Sequence, residues 1–346
     1  YDGNPNDTYY DSHQLFPGWL PGYPNYGVQT SEHSYQGRIN VTKATVLSDN
    51  TVFAQLAADV GFKKLDVMAH AMGITSKLYG NPSEVIGGLR VGVSALQMSD
   101  AYATVANGGY HIAPTVIAKV VYPSPNHKTL DLGNPTHTQV FSDAEAYAAT
   151  QVLKGVITSG TGTSANYGCP AAGKTGTTSN YTDAWFVGYT PELSTAVWVG
   201  YPNEASYMND VNGLGPGYGG TLAAPIWRTY MKEASDGYCG DFTPPATQFV
   251  GKPFYGYYHH YALGGPNSQT PYTGATGNTG VPVPPAAGTT STTTPTTTNP
   301  GTGRYTNPQQ YNPVPQTGPA TGTPTTAVPI PPPASPPSKS GGAGAP

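Results

Sequence analysis

The chain has 346 residues, 15 basic and 19 acidic side chains and a formal net charge of −4; charged residues make up 10% of it, against roughly a quarter in an ordinary globular protein. No basic run is present to track phosphates, which argues against a nucleic-acid partner, and no stretch approaches the roughly 18 consecutive apolar residues of a membrane span. Glycine (44) and proline (36) together approach a quarter of the residues, the mark of a folded part joined to a low-complexity part; a start at Tyr1 without a signal peptide predicts a piece of a longer protein.

In chain order, the first forty residues are rich in Tyr, Pro, Gly and Asn and read as loops with short extended pieces. Apolar spacing predicts a helix from Val41 to Val60, stopped by Gly61, and a short amphipathic one from Leu65 to Met72, ended by Gly73. Ser94 reads as the N-cap of a helix over Ala95–Ala106, which runs into Asn107-Gly108-Gly109. Thr115 to Tyr122 is β-rich, and Ser142 caps a predicted helix through Ile157, with Asp143 and Glu145 placed to suit its dipole. After Gly173 the pattern turns to strands, Ala184–Tyr189 and Thr195–Tyr201 joined across Pro191, with Trp185 and Trp198 expected as core aromatics. A last helix, Ala223 to Ala234, precedes Cys239. Helices, then an antiparallel hairpin and a closing helix, define a mixed α/β domain of the α+β type over 1–250.

Beyond Asp241 there is no Asp or Glu, and beyond Lys252 the only cations are Arg304 and Lys339. Residues 251–264 form an aromatic junction (Phe254-Tyr255-Gly256-Tyr257-Tyr258-His259-His260-Tyr261) suited to docking on the body or on glycan. From 265 to 346 the chain is Pro, Thr, Gly and Ser, predicted as a disordered, partly polyproline-II spacer that lacks the apolar groups to offset its ordering entropy.

Two tripeptides carry chemistry. Ser48-Asp49-Asn50 lies in the first helical region, and Lys174-Thr175-Gly176, followed by Thr177, opens the strands. A serine, an amide and a lysine can line one cleft where a helix faces a strand. The eight histidines show no ligand spacing, so neither a metal nor another cofactor is implied.

These tripeptides resemble the second and third motifs of penicillin-interacting serine acyltransferases. Ala101 to Gly109, Gly160-Thr161-Gly162-Thr163, Asp183 to Pro191 and Ala223-Ala224-Pro225-Ile226-Trp227 are similar to stretches of the transpeptidase domain in class A penicillin-binding proteins. The resemblance covers about 40–235 and implies the penicillin-binding, serine β-lactamase-like fold. It implies acyl transfer at D-alanyl-D-alanine peptides of the wall, with peptidoglycan stem peptide, lipid II-derived glycan and β-lactams as partners. The place implied is the outer face of a bacterial membrane, with an anchor upstream. Ser48 would relay a proton to the departing amine, Asn50 would hold the substrate backbone, and Lys174 would supply positive potential. Thr175 and Thr177 would take the terminal carboxylate, the Thr177 N–H would form half of an oxyanion hole, and Gly176 would let the substrate approach.

One departure is large. The family nucleophile is a serine with lysine three residues later, and no lysine in this sequence has serine at that spacing. The expectation is that this motif lies upstream of residue 1, leaving the fold truncated at its N-terminus and the fragment inactive by itself. A D,D-carboxypeptidase and a non-catalytic wall-binding module stay open as alternatives. A class A β-lactamase does not fit, because Glu84 is followed by Val85-Ile86-Gly87-Gly88 rather than the Leu-Asn setting of a deacylating glutamate. In a domain outside the cytoplasm Cys169 and Cys239 would either join or stay as two buried thiols.

Overall fold

The computed structural model describes residues 3–123, 128–133, 135–202, 206–213 and 215–262. The expected Pro/Thr-rich tail lies outside the described residues. Two short strands, β1 (Tyr9–Ser12) and β2 (Gly37–Asn40), pair antiparallel and lead directly into a helix pair, α1 (Val41–Leu47) and α2 (Asn50–Val60). Then follow α3 (Phe62–Ala71), α4 (Ala95–Ala106), β3 (Tyr110–Ile112), β4 (Lys119–Val121), β5 (Thr129–Asp131), β6 (His137–Gln139) and α5 (Asp143–Ser159). The chain closes with β7 (Ala172–Thr177), β8 (Asp183–Tyr189), β9 (Ser194–Gly200) and α6 (Ala224–Ala234). Strands β7, β8 and β9 form an antiparallel sheet in that order, with β7 at its edge.

Side chains alternate across this sheet, as the two-residue period of a strand requires. Phe186 lies on the face that packs with Trp227 and Met231 of α6, all fully buried. Ala172 and Tyr189 lie on the other face, against Val105 of α4, Tyr147 and Leu153 of α5, and Phe242 beyond α6. Tyr189 also shares a hydrogen bond of 2.9 Å with Thr150 of α5. The sheet therefore has helices on both faces, and its β7 edge remains unpaired among the described strands.

Several expectations need correction. The helix expected from Val41 to Val60 is two helices, broken at Ser48-Asp49. The Asp49 carboxylate takes the free N–H groups at the start of the second helix, and the Ser48 side chain turns away to Lys174. Of the β-rich stretch Thr115–Tyr122 only Lys119–Val121 is a strand, pairing with Thr129–Asp131. Trp185 and Trp198 are cross-strand partners and only half-buried, with ring centroids 6.3 Å apart. They occupy the far end of the sheet face whose Ala172–Tyr189 end packs on α4 and α5, and the core aromatics are Phe186, Tyr189 and Trp227.

The segment after α6 wraps back over the body. Cys239 is joined to Cys169, five residues before Lys174 in sequence. Asp241 forms a two-pronged ion pair with Lys154 of α5, at 2.7 and 2.8 Å, and Phe242 enters the core. Residues 252–261 then return to the N-terminal strand region.

Candidate active site

The Ser48-Asp49-Asn50 loop follows from how its residues cap helices. Helix α1 starts on Asn40, whose side chain accepts from the Lys43 N–H, and ends with Ser48 in the left-handed conformation (φ 58°, ψ 43°). The Ser48 N–H reaches Thr45 O at 3.2 Å and the Asp49 N–H reaches Ala44 O at 2.9 Å, the paired bonds of a Schellman ending. Glycine usually occupies that left-handed position. A serine there costs roughly 1–2 kcal/mol of backbone strain. Asp49 then opens α2: its carboxylate accepts from the N–H groups of Thr51 and Val52 at 3.0 and 3.2 Å. The second oxygen of this buried carboxylate accepts from Ser12 at the end of β1. Asn50 is the first residue of α2, and its amide donates to Gln29 O at 3.3 Å.

Lys174 comes from the edge strand, on the sheet face that looks toward α5, along which α1 packs. Its ammonium donates to Ser48 Oγ at 2.6 Å and to Thr175 O at 3.2 Å. Burial pushes the Lys174 amine down from its ordinary value to about 8, so about a tenth of it is neutral at pH 7. The structure thus brings Ser48 and Lys174 into contact across 126 residues of sequence.

Thr175 and Thr177 project from the opposite face of β7. The Thr175 hydroxyl is exposed and shares a hydrogen bond of 2.6 Å with Thr161, while Thr177 Oγ1 accepts from the Gly219 N–H at 3.0 Å. The Thr178 N–H donates to Asp183 O, so by the alternation of an antiparallel ladder the Thr177 N–H points away from β8 toward the open edge. A Cβ at Gly176 would sit 3.1 Å from Trp185 Cβ, so this glycine also makes room for the neighbouring strand.

Residues that carry no role in the sequence reading also shape this edge. Thr161 faces Thr175, and Gly219 lies so close to the backbone of Gly176 and Trp185 that no side chain fits there. Asp183 fixes the turn after Thr177, accepting from Trp198 Nε1 at 2.8 Å and from the hydroxyls of Thr178 and Thr182 at 3.1 and 3.0 Å. In sequence Thr161 and Asp183 showed only as members of the family-like stretches 160–163 and 183–191, with no role attached, and Gly219 only as one of a glycine pair. Among the described residues no cluster of His, Cys, Asp and Glu is arranged to hold a metal ion.

Ser48 and Lys174 thus meet beside an open strand edge. Residues 3–232 match the family model of the penicillin-binding protein transpeptidase domain, and the chain belongs to that family. It is 32% identical to penicillin-binding protein 1A of Neisseria lactamica over an aligned length of 233 residues, the match covering 63% of this chain and 28% of that protein. To penicillin-binding protein 1F of Bacillus subtilis it is 32% identical over 196 residues, 55% of this chain and 27% of that one. The chain thus spans little more than a quarter of these curated relatives. Among solved structures, PonA1 from Mycobacterium tuberculosis in complex with penicillin V is similar with a TM-score of 0.59 and 29% identity, covering 73% of this chain and 68% of that one.

Proposed function

We propose that this chain is the C-terminal part of a D,D-transpeptidase domain that cross-links peptidoglycan stem peptides through a serine acyl-enzyme and is a target of β-lactams. The observation that carries it is the 2.6 Å contact between Lys174 Nζ and Ser48 Oγ, with the lysine held near pH 8 by burial. In this reading a serine from outside the chain attacks the carbonyl carbon of the penultimate D-alanine. A bond from its Oγ to carbon forms as its hydroxyl proton passes to a neighbouring lysine, likewise outside the chain; the carbon–nitrogen bond breaks, and the departing amine of D-alanine takes a proton from the Ser48 hydroxyl, which that lysine reprotonates and Lys174 polarises.

The remaining residues bind and orient. The Thr177 N–H, directed at the open edge, donates to the oxyanion, and the hydroxyls of Thr175 and Thr177 receive the terminal carboxylate. Asn50 holds the peptide backbone of the substrate, which lies extended along β7 as an added strand. An amine acceptor then replaces D-alanine on the acyl carbon. The working place is the outer face of the cytoplasmic membrane, through an anchor outside this chain. Among the described residues no helix is long and apolar enough to cross a membrane.

The test is covalent labelling of the full-length protein with a fluorescent penicillin. Lys174→Ala should abolish labelling while the far-UV signal of the fold is kept. Normal labelling of that variant would overturn the site, and failure of the unaltered protein to label would favour a wall-binding module instead.

A further inference from the structure

The family match ends at residue 232, yet the chain after it contacts the elements that hold Ser48. Lys252 pairs with Gly3, and its carbonyl accepts from the Asn4 N–H at 2.7 Å. The Phe254 N–H donates to Thr8 Oγ1 at 3.0 Å, and the His260 N–H donates to Tyr9 O at 2.7 Å, at the start of β1. Between these two points lies Asp59, in the last turn of α2. Its carboxylate accepts from the Tyr257 N–H at 2.7 Å, from the Tyr258 N–H at 3.1 Å and from the Tyr10 hydroxyl at 3.0 Å. The Tyr258 ring stands edge-on to Trp19, 5.3 Å between centroids, and Arg38 of β2 donates to Tyr261 O at 3.2 Å.

The two elements gripped in this way are the two that carry the serine loop. Helix α2 is capped by Asp49, next to Ser48, and ends in the turn that contains Asp59. Strand β1 begins at Tyr9, under His260, and ends at Ser12, whose hydroxyl donates to the Asp49 carboxylate. We propose that residues 252–261 are a positioning strap of the active site, which through Asp59 on α2 and Tyr9 on β1 fixes the Asp49 carboxylate and hence the direction of Ser48 Oγ toward Lys174. The physical link is a short rigid helix and a four-residue strand, each held at both ends. Asp59 acts through α2 and touches no reacting atom.

This inference rests on the reading of Ser48 and Lys174 given above, and the experiment separates the two. In the full-length protein, the second-order rate of penicillin acylation and its pH profile are compared for three chains: one ended after residue 262, one ended after residue 250, and Asp59→Ala in the longer form. Ending after 262 should leave rate and profile unchanged. Removing the strap, or Asp59, should lower the rate by about tenfold or more, the scale of a sub-ångström misplacement of a catalytic group. The alkaline part of the profile should also move upward, as water reaches Lys174 and its amine returns toward an ordinary lysine value. A strap that only stabilised the fold would lower the melting temperature and leave rate and profile, measured well below it, as they were; that result overturns the inference. If ending after 250 prevents folding, Asp59→Ala and Tyr258→Ala decide it by the same readouts. Loss of labelling in Lys174→Ala with an unchanged strapless rate would remove the strap alone. Labelling that survives Lys174→Ala would remove the site reading itself.

Discussion

Ser48 occupies a backbone conformation that suits glycine and places there a hydroxyl that glycine lacks. The two demands can be separated by substitution. Ser48→Ala and Ser48→Gly both remove the hydrogen bond to Lys174, but only alanine keeps the left-handed strain. The glycine variant should therefore be the more stable of the two, by roughly 1 kcal/mol in urea unfolding, with both defective in penicillin acylation. Equal stabilities would show that the loop relaxes around the residue. At this scale the sequence was legible where a motif exists: Ser48, Asn50, Lys174, Thr175 and Thr177 stand out as residue types in a recurring order. The left-handed turn at Ser48 was not, since helical periodicity runs through it unbroken and the break depends on Asp49 finding Ser12 across 37 residues. Thr161 stood in a family-like stretch but without a role, because its partner on β7 is set only by the tertiary fold.

Helix α5 shows what local signals can do. Ser142 accepts from the Glu145 N–H at 3.2 Å, and the Glu145 carboxylate accepts from the Ser142 N–H at 2.8 Å, a reciprocal capping box. The Ser142 hydroxyl, which donates to the same carboxylate at 2.7 Å, and next the Ser142 N–H hold the Glu145 carboxyl below its ordinary value. A depressed folded pKa means that the contribution is present above the unfolded glutamate value, near 4.3, and is lost as pH falls through the lower folded one. Ser142→Ala should cost about 1 kcal/mol at pH 7, and the loss should shrink as the solution is acidified. A cost that persists unchanged at pH 3 would place the effect elsewhere than in the box. Both this cap and that of Ser94 were readable because donor and acceptor lie three residues apart. Strands β1 and β2 were not, being four residues each in a region of turns and paired across a 24-residue connection. Nor were the limits of β4, where most apolar side chains stay in solvent: Val116, Ile117 and Val121 are all exposed.

For the molecule as a whole, the disulfide between Cys169 and Cys239 closes a loop of 70 residues that holds the three-stranded sheet and α6. By the chain-entropy argument a loop of that size is worth about 4 kcal/mol. Replacing both cysteines by serine should lower the urea midpoint of this domain accordingly, and an unchanged midpoint would mean that Lys154–Asp241 and the buried Phe242 already confine the segment. The order of helices, hairpin and closing helix was legible in composition and periodicity. That the aromatic junction would dock on the body was one of the two readings its composition offered, and it does; which surface this return covers was not legible, because a stretch rich in tyrosine carries no sign of its partner.

That return sets where force would travel. Asn4 bonds to Lys252 and Tyr9 to His260, so the two ends of the described span lie side by side, joined by a few backbone hydrogen bonds. Tension applied to both ends would be borne first by these bonds, which would peel apart one at a time before the sheet or α5 is loaded. If the strap positions Ser48 as proposed, a pull on both ends would slacken the serine loop while the rest of the domain is still folded.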